Sequence, residues 1–333
     1  MNEKLKWVIL AAVFLGIGFL AGRFLFVENG KPRVRTNQRI DMSEIRNKSN
    51  YKFINPLLEC DNSSASGLHY QHGFEEVLQG YIATTIKNGS ASEISVYYRD
   101  LNNGPWIGIG YNKPFSPASL LKVPVMIAAL KKAELDKSLM KEKFELSPSP
   151  DMELLKSNIS DEVIQVGHKY TYENLIFRMM AYSDNYAMGM LKTIVGEQLL
   201  ADVWTDLGLM VPTSETSPDF LTVKEYSSFF RVLYNATYLS KEYSEIGLKI
   251  MSNCTFDAGL QKGLPDSIQL SNKFGERGLA DSNLKQLHDC GIVYAPNSPY
   301  LLCVMTRGVD WNTQATIIAE ISQKVYAAHT QGK

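Results

Sequence analysis

Hydrophobic and polar positions divide the chain into three regimes. Trp7 to Gly22 carries no charge, and Phe24–Val27 prolongs the apolar run beyond Arg23. That length approaches the roughly 20 residues a helix needs to cross a bilayer. The short head Met1–Lys6 precedes it, and no small-residue cleavage pattern follows it, so an uncleaved anchor over 7–27 is expected rather than a removed signal peptide. Lys4 and Lys6 favour a cytoplasmic N-terminus (1–6), although Arg23, Lys31, Arg33 and Arg35 beyond the run work against that bias. Residues 28–70 are mostly polar and aperiodic and read as a tether. Within it Tyr51–Leu58 is apolar enough to dock on the domain, and Asp61–Gly67 is a flexible break. This order places the rest of the chain outside the cytoplasm, attached to the cell membrane.

From about residue 71 to 331 the periodicities are those of one folded domain. A helix is predicted over Gly73–Lys87 and strands over Glu93–Asp100 and Trp106–Tyr111. A helical middle follows from Ser119 to about Ile250, including helices over Tyr170–Ala181 and Tyr186–Val195. Strands over Leu270–Gly275, Gln286–Tyr294 and Tyr300–Thr306 then lead to a last helix over Gln314–His329. Pro296–Pro299 separates the final two strands as a hairpin connection. Strands from both ends with helices inserted between them imply an α/β (α+β) fold. Its antiparallel sheet is flanked by helices and joined to an all-helical subdomain (about 119–250), with the functional site at the junction.

Chemistry concentrates at three places in this order. Ser119-Leu-Leu-Lys122 opens a helix that stays apolar as far as Leu130. Residues three apart share a helix face, so the Ser119 hydroxyl and the Lys122 amine can meet. A lysine among Leu120, Leu121 and Val123 loses hydration, which favours its neutral form and lets it act as the base a serine nucleophile requires. The helix N-terminus favours the anion formed on attack. Ser138-Leu-Met-Lys141 repeats the spacing, but charged residues follow it and it reads as a solvated turn. Ser183-Asp-Asn185 interrupts two helices, so Ser183 can relay a proton and Asn185 can bond a substrate amide while Asp184 ties the loop down. Lys273-Phe-Gly275 ends a strand where backbone can approach a ligand closely. Lys273 is placed to hold a substrate carboxylate, and the N–H groups of Ser119 and Glu276 are candidates for an oxyanion hole.

Together the three motifs resemble the serine, Ser-Asp-Asn and Lys-Thr-Gly set of class A β-lactamases and D,D-peptidases, over roughly residues 70 to 331. The resemblance implies a serine hydrolase acting on β-lactams or D-alanyl peptides through a Ser119 acyl-enzyme, with β-lactamase the default activity. D,D-carboxypeptidase or transpeptidase activity on peptidoglycan peptides is the nearest alternative, and a non-catalytic β-lactam-sensing or wall-binding module is the next. Two departures matter. Phe274 stands where that family usually carries a hydroxyl. The Glu-x-x-Leu-Asn pentapeptide that activates the deacylating water is absent between Asn185 and Lys273, where the stretch Gly208–Phe220 offers only Glu215 and Asp219 as carboxylates.

Composition narrows the partners. A net charge of −1 gives no electrostatic basis for nucleic-acid binding. His69, His72, His168, His288 and His329 form no zinc spacing, and neither a metal nor a cofactor is expected. Cys60, Cys254, Cys290 and Cys303 allow three disulfide connectivities; Cys290 and Cys303 are placed as diagonal neighbours on one sheet face, and Cys60 with Cys254 is the complementary pair. No feature of the sequence sets an oligomeric state.

Overall fold

The computed structural model describes residues 43–46, 51–61, 72–102, 106–147, 164–278 and 282–331. The anchor expected over 7–27 lies outside them, and among the described residues no helix is long and apolar enough to cross a membrane.

Side chains of alternate residues along β9 (Tyr300–Gly308) enter different cores. Leu301, Cys303 and Met305 join one apolar cluster, and Leu302 and Val304 join the other. This period of two marks a sheet buried on both faces. The sheet is antiparallel throughout, in the order β4 (Trp106–Ile109), β3 (Glu93–Asp100), β9, β8 (Lys285–Val293) and β7 (Leu270–Gly278). On one face pack α1 (His72–Lys87) and the C-terminal helix α8 (Trp311–Gln331), through residues such as Leu78, Ile318 and Ile321. The other face receives the helical subdomain: α2 (Lys122–Leu135), α3 (Tyr172–Ala181), α4 (Asn185–Val195), α5 (Glu197–Asp206), α6 (Val223–Tyr234) and α7 (Lys241–Met251).

Helix α2 is buried from Lys122 to Leu130, as its nearly all-round apolar sequence requires. Its neighbours are fixed by their caps. The Thr171 side chain accepts from Asn174 N, Asp184 caps α4, and Thr222 and Glu225 form a capping box on α6. A small antiparallel pair, β5 (Lys143–Glu145) with β6 (Lys169–Thr171), was not apparent from the sequence. Ser138 and Lys141 lie in a short 3-10 turn after α2, consistent with their reading as a turn.

Three details differ from the sequence reading. Within the segment read as a tether, β1 (Ser43–Arg46) pairs with β2 (Leu57–Asp61), which the sequence reading did not contain, while Phe53 and Ile54 bury against the helical side as expected of Tyr51–Leu58. Glu245 accepts from the backbone N–H groups of Lys52, Phe53 and Ile54, so this stretch is anchored. Strand β7 continues past Gly275 to Gly278. Cys290 and Cys303 face each other directly across β8 and β9, two residues in pairing from the diagonal placement, and form a disulfide. Cys254 is a free thiol, and the side chain of Cys60 lies outside what the structure describes.

Candidate active site

The junction of α2, the α3–α4 connection and β7 gathers the three motifs. Ser119 lies in a 3-10 turn, Ala118–Leu121, that leads into α2 rather than in the α-helix itself. The three-residue spacing serves equally well in this turn: Lys122 Nζ donates to Ser119 Oγ at 2.8 Å. The amine also donates to Asn185 Oδ1 at 2.6 Å, which leaves the Asn185 amide N–H groups free to donate outward. Lys122 is 1% exposed whereas Ser119 is half-buried, so the nucleophile is reachable while its base is not.

Backbone strain accompanies both serines. Ala118, the residue before the nucleophile, has φ 47°, and Ser183 has φ 57°, a left-handed conformation that costs a non-glycine residue of the order of 1–3 kcal/mol. Asp184 offsets this locally. Its Oδ1 accepts from Tyr186 N and Ala187 N and its Oδ2 from Ile164 N, so it points away from the cleft and pins the connection.

Lys273 approaches from β7. Its Nζ donates to Ser183 Oγ at 3.1 Å and to the Phe274 carbonyl at 2.9 Å, and sits 3.9 Å from the centroid of the Phe274 ring. That ring stacks on Phe256 with centroids 4.3 Å apart. Gly275 is where the strand meets the nucleophile turn. A Cβ there would lie 2.8 Å from the Pro117 carbonyl oxygen and 3.1 Å from Leu120 N, so a side chain would push β7 off the turn.

Electrostatics follow from burial. Desolvation, reinforced by the charge of Lys273 and opposed by Asp184, lowers the Lys122 pKa to about 7. Desolvation also lowers Lys273 to about 8, against the favourable fields of Cys254, Asp289 and Glu276. One amine is thus available as a neutral base near neutral pH, and the other remains mostly charged.

The turn before Ser119 is held by residues that the sequence did not single out for this role. All three polar groups of Ser116 are bound: its N–H to Gln286 Oε1 at 2.9 Å, its hydroxyl by Arg277 Nη1 at 2.8 Å, and its carbonyl by His288 Nε2 at 3.0 Å. Thr306 N donates to His288 Nδ1, so the ring proton sits on Nε2. Burial lowers the His288 pKa to about 4 and keeps the ring neutral. Their only sequence signal is the polar alternation of β7 and β8, Arg277 with Gln286 and His288.

The two candidate deacylating carboxylates are not brought to this cleft by any hydrogen bond. Glu215 is solvent-exposed in a turn whose backbone bonds run to Thr213. Asp219 is committed elsewhere, with Oδ2 accepting from Arg307 Nη2 at 2.7 Å and Oδ1 from Gln286 Nε2 at 2.9 Å. Arg307 in turn pairs with Glu93, so Asp219 staples the loop to the sheet.

The sequence profile of the beta-lactamase enzyme family matches residues 77–329, most of the chain. The chain belongs to that family of serine hydrolases. No curated protein sequence matches it. Among solved structures, PBP-A is similar at a TM-score of 0.66 and 19% identity, covering 78% of this chain and 97% of that one. A mutant of PBP-A has been solved as an acyl-enzyme complex with penicillin G. A class A β-lactamase representative from Bacteroides cellulosilyticus matches at 0.66 and 19%, covering 78% and 99%. The class A β-lactamase from Mycobacterium abscessus matches at 0.63 and 18%, covering 75% and 98%. At these identities the structures establish a shared fold.

Proposed function

We propose that this chain is a serine acyl enzyme acting on β-lactam or D-alanyl amides, in which acylation is the competent step and release is slow. Neutral Lys122 accepts the Ser119 proton as Oγ bonds to the amide carbonyl carbon. The C–N bond then breaks, and the proton passes by way of Ser183 to the departing nitrogen. Asn185 donates to the acyl side of the substrate, and the N–H groups of Ser119 and Glu276 stabilise the oxyanion, a role supported by the close approach of Gly275 to the nucleophile turn. Lys273 lends its charge to this field and orients the Ser183 hydroxyl. The Lys122 bridge between Ser119 and Asn185 is the observation that carries this reading.

Slow release rests on the carboxylates: Glu215 is exposed and Asp219 is spent on Arg307 and Gln286. The behaviour is then that of a penicillin-binding peptidase rather than of an efficient β-lactamase, and the penicillin G adduct of a PBP-A mutant supports the comparison. Incubating the protein with benzylpenicillin and following its intact mass tests this. A one-to-one adduct persisting for many minutes, with a lifetime unchanged by Glu215→Gln, is expected. Rapid penicillin turnover without a persistent adduct contradicts slow release.

Residues 7–27 complete the reading as a membrane anchor that keeps the domain outside the cytoplasm, supported by the uncharged run and its positive head. Recovery of the full chain in the carbonate-washed membrane fraction is expected, and recovery in the soluble fraction contradicts it.

A further inference from the structure

Resting on the acyl-enzyme reading, the inference concerns the side of the nucleophile turn that meets α5. A cavity of about 530 Å³ opens there between α2, α4, α5 and the loop that follows α5. Its walls are apolar: Leu121 from the nucleophile turn, Val125 from α2, Met188 from α4, Leu200 and Trp204 from α5, and Val211 from the loop. Among the described residues, the charged groups in the lining are Lys192 and Glu197, both exposed and opposite in sign. Volume and lining are those of a small-molecule site.

The elements that bound this cavity also bound the reaction centre. Leu121 belongs to the 3-10 turn that carries Ser119. On α4, Met188 lies one helical turn beyond Asn185 and Lys192 one turn beyond Met188, so the three form a stripe about 10 Å long. Asn185 begins that stripe with Oδ1 on Lys122 and its amide N–H groups free to meet a substrate amide. A substituent leaving that amide passes Met188 and runs onto apolar surface, and a chain of about eight carbons spans the stripe. Carried by the reacting molecule itself, the chain is bound without a separate loss of translational freedom, a cost that a free amphiphile of the same length must meet.

We infer that the cavity is a subsite for the acyl substituent of the substrate, and that it takes a long aliphatic chain. Leu121, Met188 and Trp204 are the specificity-determining residues. Lys192 and Glu197 meet the far end of the chain without imposing a net charge on it. The favoured acyl donors are amides whose acyl side carries an extended apolar side chain, and donors with a short one gain nothing from the cavity.

Penicillins bearing acetyl, hexanoyl and octanoyl side chains share one β-lactam nucleus and differ in chain length alone. Their rates of Ser119 acylation below saturation, followed by intact mass, are expected to rise about twofold per added methylene, and so about sixtyfold from acetyl to octanoyl. That is roughly half the free energy of full methylene burial, because the cavity is open along its exposed loop. Ala201→Phe, which fills the cavity from α5, is expected to bring the octanoyl-to-acetyl ratio down to about one. Ser214→Trp, at an exposed position of the lining, is expected to lower the ratio several-fold and decides the matter should Ala201→Phe fail to fold. Free octanoate at the same concentration is expected to leave the octanoyl rate unchanged; inhibition by it makes the cavity a site for free amphiphiles and overturns the assignment to the substrate. A ratio near one in the unsubstituted protein, or a ratio that neither substitution lowers, likewise overturns the inference while leaving the acyl-enzyme reading intact. Failure of all three penicillins to form an adduct overturns the acyl-enzyme reading, and the inference with it.

Discussion

Lys273 depresses the proton affinity of Lys122: its charge adds to desolvation in bringing the Lys122 amine to about 7. The two lysines are joined through neither a salt bridge nor a shared acceptor; each holds its own serine, Ser119 and Ser183. Their titrations set the pH profile. Acylation requires Lys122 neutral, so its rate rises with pH through about 7. Lys273 contributes as a cation and loses its proton near 8, so the rate falls again above that value. A narrow maximum between these values is expected in a stopped-flow pH series. Lys273→Gln removes the neighbouring charge, which shifts the rising limb to higher pH and abolishes the falling limb. A rising limb left in place shows that the lysines do not communicate.

The Ser116 clamp makes His288 a positioning residue for the nucleophile. His288→Leu leaves the Ser116 carbonyl and Thr306 N–H buried without partners, at a stability cost of about 1–3 kcal/mol for each. The maximal acylation rate is expected to fall about tenfold with the non-covalent binding constant unchanged, and His288→Gln is expected to recover part of it. Thr306→Val supplies the control, because the Thr306 hydroxyl bonds Leu287 O on β8 and Gln314 Oε1 on α8 without touching Ser116. It should cost stability and spare the rate. Equal rate losses in both variants would reduce His288 to a structural part.

Residues 288 and 289 oppose one another in acid. His288 has its pKa lowered to about 4 by burial, so the stability it contributes is present above its usual value near 6.5 and is lost as pH falls toward 4. Asp289 has its pKa raised to about 6 by burial, so its contribution is present below the usual carboxylate range and is lost as pH rises through 6. The windows overlap and the signs are opposite, so the pair nearly cancels. Asp289→Asn removes one arm and sacrifices an acceptor used by Leu260 N and Asn272. Its stability deficit against the parent protein, from denaturant titrations, is expected to grow as pH falls from 7 to 4, by an amount on the order of 3 kcal/mol at about 1.4 kcal/mol per unit. A deficit that is constant or shrinks in acid contradicts the assignment.

Much of the site was legible because it depends on short-range geometry. Ser119 and Lys122 meet through a spacing of three whether the turn is α or 3-10, and Asp184 caps α4 in the way a tripeptide between two helices suggests. The strands read over Glu93–Asp100, Gln286–Tyr294 and Tyr300–Thr306 likewise match β3, β8 and β9 to within two residues. What stayed hidden depends on packing across long separations. Phe256 and Phe274 stack from different segments, and nothing local in either announces that the pair locks Lys273. Asp219 is drawn to Arg307 and Gln286 only once the sheet is assembled, so sequence proximity to the missing pentapeptide was a poor guide to its role. The Cys290–Cys303 pairing slipped by two residues because the hairpin turn is centred one residue earlier than Asn297 and Ser298, and a two-residue slip keeps the sheet face while it changes a diagonal neighbour into a facing one.

Locating the covalent adduct tests the central claim most directly. After reaction with benzylpenicillin, proteolysis and tandem mass spectrometry should place the added mass on Ser119, and Ser119→Ala should carry none while keeping the parent's melting temperature. An adduct on Ser138, Ser183 or any other residue, or labelling that survives Ser119→Ala, would contradict the assignment of Ser119 as the nucleophile.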